Sequence, residues 1–244
     1  MSERNWTRQD IAGHMCDLYL PAHASNHGYS IIYLHDFALQ GSMGCIHLTE
    51  SFEQYGFCVI APDVKRSWWS DKICLEFDEN QSAENYLLES VMPWLAEHWQ
   101  VVPPRIGLLG TGMGGQASLR FGFKYPDLFP VVAAITPKID HQSSWWEPES
   151  FLDQMYLSEE AVRQDTATLH IHPLYWPRNI WFCSHSSWLD SAQRLQMKLS
   201  ALGIPYEAEL DHTDQTPTEY EKRMADPAVR FLTERLETER KRIG

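Results

Sequence analysis

The stretch "GLLGTGMGGQASLRFG", residues 107–122, carries the spacing most suggestive of chemistry. An apolar run ends in glycine, a five-residue Thr111-Gly112-Met113-Gly114-Gly115 bend follows, and a helix-like pattern begins. That is the layout of a nucleophile elbow, in which a strand turns sharply into a helix and holds a reactive side chain up at the bend. The reactive position falls on Gly112, which has no side chain. The loop is not a phosphate cradle: it lacks the Lys-Ser/Thr pair of a P-loop, and its spacing is not that of a dinucleotide fingerprint.

The elements that would position this bend are legible as short apolar runs. "SIIYL" (30–34), "FCVIAP" (57–62), "RIGLLG" (105–110), "VVAAI" (131–135) and "NIWFC" (179–183) are nearly continuous apolar, as strands buried on both faces of a parallel sheet are. "YEAEL" (206–210) reads as a further strand, and "MCDLYLP" (15–21) alternates like a half-exposed antiparallel one. Helical patterns lie between them. Residues 82–99 form one, kinked or divided at Pro93, and 113–126 form another after the elbow. Residues 190–203 read as a helix with Asp190 as N-cap and Gly203 at its end, and 226–242 as one with Asp226 as N-cap and Pro227 at its first position. Strands alternating with helices predict an α/β fold, a mainly parallel central sheet with helices on both faces, in a single domain over 1–244. Residues 137–178, irregular and rich in Pro, Trp and His, are expected to form a small insertion over the carboxyl edge of the sheet, where such folds bind ligands.

"YLHDF" after the first buried strand, together with "GLLGTGMGGQASLRFGFKYPDLFPVVAAI" and the order of elements, resembles the α/β-hydrolase fold. The likeness is to its putative-esterase group, which includes esterase D, S-formylglutathione hydrolase-like and dienelactone-hydrolase-like proteins. It runs over nearly the whole chain. Active members read like G-x-S-M-G-G-Q-x-x-L-R at the elbow, and every residue of that pattern except the serine is present here. The resemblance implies a nucleophile, an acid and a histidine in that chain order. It places the nucleophile on Gly112, the acid on Ser187 (Ser186 if the gap shifts) and the histidine on Thr216. The implied oxyanion-hole amides are those of Phe37 and Met113. The loop carrying Phe37 reads His35-Asp36 where the family has His-Gly, setting a carboxylate near the place where an oxyanion would form.

With all three triad positions altered, the expected function is a binding or regulatory pseudoenzyme on an esterase scaffold. The alternative is a serine-independent hydrolase of small esters or thioesters that uses His212 or His185 as base, oriented by Asp190, Asp211 or Asp214. Thr111 is expected to pack into the sheet, and Cys45 and Cys183 to be small buried hydrophobes. "HIH" at 170–172 sets two imidazoles on one face without an obvious third ligand, so no metal is expected, and no cofactor. The expected pocket residues are His35, Asp36, Trp68 and Trp69. The last two lie in "KRSWWSDKICLEFD" (65–78), whose Arg66 and Lys72 could meet an anion.

The net charge of −13 disfavours nucleic acid and membrane surfaces as partners. The expected partners are a small apolar or ester-like ligand, and a second copy or an active relative. Five scattered cysteines with no CxxC pair, and a polar start "MSERNWTRQD" that cannot be a signal peptide's apolar core, lead to the expectation of a cytoplasmic protein.

Overall fold

The computed structural model describes residues 6–23, 28–37, 46–210, 213 and 215–243. Its core is an eight-stranded sheet: β1 (Trp6–Ile11), β2 (His14–Tyr19), β3 (Ser30–Leu34), β4 (Cys58–Pro62), β5 (Ile106–Thr111), β6 (Val131–Ile135), β7 (Asn179–Ser184) and β8 (Glu207–Leu210). The spatial order is β1-β2-β4-β3-β5-β6-β7-β8. β1 and β2 are antiparallel to each other, and β2 is antiparallel to β4; the pairings from β4 through to β8 are all parallel. The apolar runs form the buried strands because a side-chain period of two buries both faces at once. Along β3, Ile32 and Leu34 join one core and Ile31 and Tyr33 the other.

The second core is closed by α1 (Ile46–Tyr55) and α8 (Pro217–Ile243), through Leu48, Phe52, Met224, Val229 and Leu232. The first is closed by α2 (Ala83–Tyr86), α3 (Met92–His98), α4 (Gly112–Lys124) and α7 (Leu189–Leu202). Between α2 and α3 the chain takes a π-helical turn, Leu87–Val91, and Pro93 falls in the first turn of α3, where its missing N–H costs least. Residues 137–178 join β6 to β7 through 3₁₀ turns and two short helices, α5 (Leu152–Met155) and α6 (Glu159–Gln164).

Two helix starts differ from the sequence reading. α7 begins at Leu189 with Trp188 in the cap position, so Asp190 lies inside its first turn. α8 begins ten residues before Pro227, because Thr216 and Glu219 form a reciprocal capping box: Thr216 N–H donates to Glu219 Oε2 (2.9 Å) and Glu219 N–H to Thr216 Oγ1 (3.4 Å). Asp226 is then mid-helix and accepts from the Tyr55 hydroxyl (3.1 Å). β1, which the sequence pattern did not announce, has four exposed residues between two buried ends and is joined to β2 by a two-residue turn, Ala12-Gly13, with both φ positive.

No helix among the described residues is long and apolar enough to cross a membrane.

Candidate functional site

After β5 the chain turns directly into α4. Gly112 sits at φ +53, a region that costs any residue with a Cβ. A Cβ on Gly114 would overlap the Leu34 carbonyl, so that glycine is what lets α4 start directly against β3. Thr111 is buried, its hydroxyl 2.8 Å from the Tyr33 hydroxyl, and takes no part in the cleft.

The place where an elbow side chain would stand is taken by Asp36. A Cβ on Gly112 would lie far inside van der Waals contact distance of Asp36 Oδ1 and Cγ. Asp36 Oδ1 accepts the Met113 N–H (2.7 Å) and pairs with Lys138 Nζ (3.1 Å), while Lys138 N–H donates to the Gly112 carbonyl (3.0 Å). One of the two oxyanion-type amides thus already binds an anion, supplied by the protein itself. Phe37, the other, lies with its ring 5.6 Å from Lys138 Nζ.

His35 is 4% exposed and structural. Its Nε2 accepts the Val64 N–H (3.2 Å), so Nδ1 carries the proton and donates to the Asp36 carbonyl (2.9 Å). Burial holds its pKa below the ordinary histidine value. Its carbonyl accepts from the Trp69 indole (3.3 Å), which buries Trp69 completely.

The positions that the resemblance gives to the acid and the base, Ser187 and Thr216, hold no titratable group. Ser187 N–H donates to His185 Nδ1 (3.2 Å) and the Ser187 hydroxyl lies 3.0 Å from the same atom. That fixes the proton of His185 on Nε2, which donates to the Gln215 carbonyl (2.9 Å). Both ring nitrogens are engaged and the ring is 7% exposed, leaving no free lone pair for proton abstraction. Thr216 is exposed and spent on capping α8. His212, Asp211 and Asp214 lie outside the described residues, as does Cys45. Cys183 is buried and its thiol is pushed up to about 12, far from a nucleophile. In the "HIH" run, His170 Nε2 meets Asp165 Oδ1 (3.0 Å) and His172 Nδ1 accepts the Leu174 N–H (3.2 Å). Among the described residues no group of three or more His, Cys, Asp or Glu converges as a metal site.

Next to Asp36 and Lys138 opens a cavity of about 330 Å³, lined by Phe37, Trp68, Lys138, Ser143, Ser144, Glu147, Glu149, Ser150 and Trp188. These residues follow the carboxyl ends of β3, β4, β6 and β7, the edge at which open α/β sheets bind ligands. Trp68 reaches the cavity and Trp69 does not. Both sit at positive φ, as do Lys65, Thr136 and Phe151, so left-handed backbone concentrates around this edge. The indole of Trp68 donates to the Ser150 carbonyl (2.9 Å) and its ring stacks on His141 (4.8 Å between centroids), tying the 65–78 loop to residues 137–178. His141 is 1% exposed and burial lowers its pKa to about 4, so it stays neutral. Arg66 is gripped by Glu76 through two nitrogens (2.6 and 2.8 Å), and Lys72 is exposed.

Sequence reasoning missed Lys138, Glu147, Glu149 and Glu221. Glu221, on the first turns of α8, is raised to about 7 by burial and by the Asp36 charge, against the opposing pull of Lys138 and His185.

Sheet order, elbow and cleft define a hydrolase-type α/β protein. The family model described as "Putative esterase" matches residues 15–184, and the chain belongs to that family. No curated protein matches it by sequence. Among solved structures, an S-formylglutathione hydrolase from Agrobacterium tumefaciens is similar with a TM-score of 0.76 at 15% identity, covering 95% of this chain and 94% of that one. A fluorophosphonate-binding serine hydrolase, FphF of Staphylococcus aureus, gives 0.69 at 14% identity over 93% and 96%. A siderophore hydrolase of Aspergillus nidulans gives 0.60 at 17% identity over 95% of both chains.

Proposed function

We propose that this member of the esterase family has given up acyl transfer at its elbow and keeps the cleft at the carboxyl edge to bind a small molecule. The observation that carries the reading is the position of Asp36: its carboxylate fills the space of the missing elbow side chain and occupies the Met113 amide. An acyl oxyanion would have to displace an ionised carboxylate held by Lys138, and a fixed anion at that point raises the barrier instead of lowering it. Gly112 offers no nucleophile, Ser187 and Thr216 offer no acid or base, and His185 is tied down at both nitrogens.

Turnover of short-chain aryl esters and thioesters by highly purified protein tests it, with His185→Ala and His212→Ala beside the parent. The expected result is a rate equal to buffer for all three. Activity in the parent that one histidine variant abolishes overturns the reading.

One observation favours a second reading, a serine-independent hydrolase. Glu221 titrates near neutrality beside Asp36, and a carboxyl of that pKa is suited to activating water. Parent turnover abolished by Glu221→Gln and untouched by His185→Ala would establish it.

A further inference from the structure

The charges around the cavity do not balance. Lys138 is neutralised by Asp36, Arg66 by Glu76, and Arg194, on α7, by Asp140. Glu147 and Glu149, which line the cavity, have no salt bridge and no side-chain hydrogen bond among the described residues. Two carboxylates without a salt bridge therefore face a space lined by the rings of Phe37, Trp68 and Trp188 together with Lys138 and three serines, and Glu149 also feels the Arg66 charge. Ring faces at this edge already serve cations: the Arg66 guanidinium lies 4.0 Å over Phe151 and 5.9 Å from Phe37, and the Lys138 ammonium 5.6 Å from Phe37.

We propose that this cavity binds a small organic cation with an aromatic or apolar body, its charge held by Glu147 and Glu149 and its body packed on Trp68 and Trp188. The inference rests on reading the cleft as a binding site and names the class of its ligand. Anionic ligands meet the two carboxylates, while the nearby cations Lys138 and Arg66 are already paired with Asp36 and Glu76. A neutral ligand of the same shape gains the rings and forgoes the charge. At about 330 Å³ the space is at the small end of ligand pockets, which suits a single-ring amine or quaternary ammonium compound. Trp146, next to Glu147 in the chain, is 78% exposed, an apolar surface beside the rim that a ligand body can cover.

The test is calorimetric titration of the full chain at low ionic strength with benzyltrimethylammonium, phenylacetate and benzyl alcohol, which share one body and differ in charge. The cation is expected to bind more tightly than the other two. Glu147→Gln/Glu149→Gln, at two exposed positions that leave the fold intact, is expected to weaken it roughly tenfold or more. Glu97→Gln/Glu234→Gln removes the same charge from exposed positions on α3 and α8, neither of which lines the cavity, and is expected to leave affinity within about twofold, since charges acting across water are weakened by its high dielectric. Equal binding of phenylacetate or benzyl alcohol, an unaffected Glu147/Glu149 variant, equal weakening in the control pair, or no binding of the cation at millimolar concentration overturns the proposal. Ester turnover separates the two claims: a protein that binds the cation and hydrolyses esters loses only the non-catalytic reading, and one that does neither loses only this one.

Discussion

The Asp36 carboxylate sits 2.7 Å from the Met113 amide nitrogen, in the space a side chain at position 112 would need. The two features explain each other. With glycine at the bend there is room for the carboxylate, and with the carboxylate present the amide at the start of α4 keeps a strong partner. The sharp strand-to-helix bend forms with glycine at its centre, since φ +53 is a conformation that glycine adopts without strain.

Placing a serine alone at position 112 is therefore expected to harm the protein. Gly112→Ser places a Cβ at φ +53 and against Asp36, and should cost about 2–4 kcal/mol. In the Asp36→Ala background the clash is gone, and the cost should fall by about 1–3 kcal/mol. Urea unfolding of the four proteins of this cycle measures the coupling; additive effects would show that Asp36 does not occupy the position. Neither serine variant should gain ester turnover, because His185, Ser187 and Thr216 supply no base.

Glu221 gives a pH signature. Its folded pKa of about 7 lies above the ordinary glutamate value of 4.5, so the folded state holds the proton more tightly. The stability this contributes is present in full below about 4.5 and is lost as the pH rises through 7, by at most about 3 kcal/mol. Glu221→Gln removes that dependence. Relative to the parent, the variant should gain stability between pH 5 and pH 8, read as the change in urea midpoint difference. A difference that stays constant with pH would refute the assignment. The groups facing Glu221 are Asp36, Lys138 and His185, and all three remain in the variant.

The sheet was legible because buried parallel strands are continuous apolar runs, and "SIIYL" and "VVAAI" match β3 and β6 residue for residue. β1 was not, because an edge strand with four exposed polar residues has no hydrophobic signal. The start of α8 was misplaced because Asp226-Pro227 imitates a helix start, while the true one, Thr216 to Glu219, lay in a segment weighed for its catalytic histidine. At the site, the residue types at Gly112, Ser187 and Thr216 could be read directly. That Asp36 fills the vacated space could not: the sequence set a carboxylate near the hole, and only the packing of β3 against α4 puts it on the Met113 amide. Glu147, Glu149 and Glu221 looked like ordinary surface acids, since nothing in a linear pattern tells a cavity wall from a solvated face.

The buried Arg120 should be the costliest single charge to remove. It lies 1% exposed on α4 between Glu84 and Asp165, the latter bonded at 2.7 Å and also joined by Tyr156 (2.7 Å) and His170 (3.0 Å). Lys124 and the Tyr125 hydroxyl share Glu84. Arg120→Met leaves two carboxylates buried without their common partner, and a loss of about 3–5 kcal/mol in urea unfolding is expected. Because Asp165 and Tyr156 belong to the connection between β6 and β7, limited proteolysis should also cleave residues 137–178 faster in the variant. A loss below about 1 kcal/mol with unchanged cleavage would mean that the cluster does not hold this segment.

Cation binding at the cleft should release protons. Burial first and the Asp36 charge second raise the Glu221 pKa to about 7, so near neutral pH its carboxyl can give up a proton. A bound ammonium at Glu147 and Glu149 adds a positive charge to the same edge and pulls the Glu221 pKa down. Binding at pH 7 is then accompanied by release of a fraction of a proton, and affinity rises from pH 6 to pH 8. Calorimetric titration with benzyltrimethylammonium in phosphate and in Tris, whose ionisation enthalpies differ widely, measures that fraction. In Glu221→Gln the buffer difference should vanish while binding persists. A difference that survives the substitution removes Glu221 from the site's electrostatics.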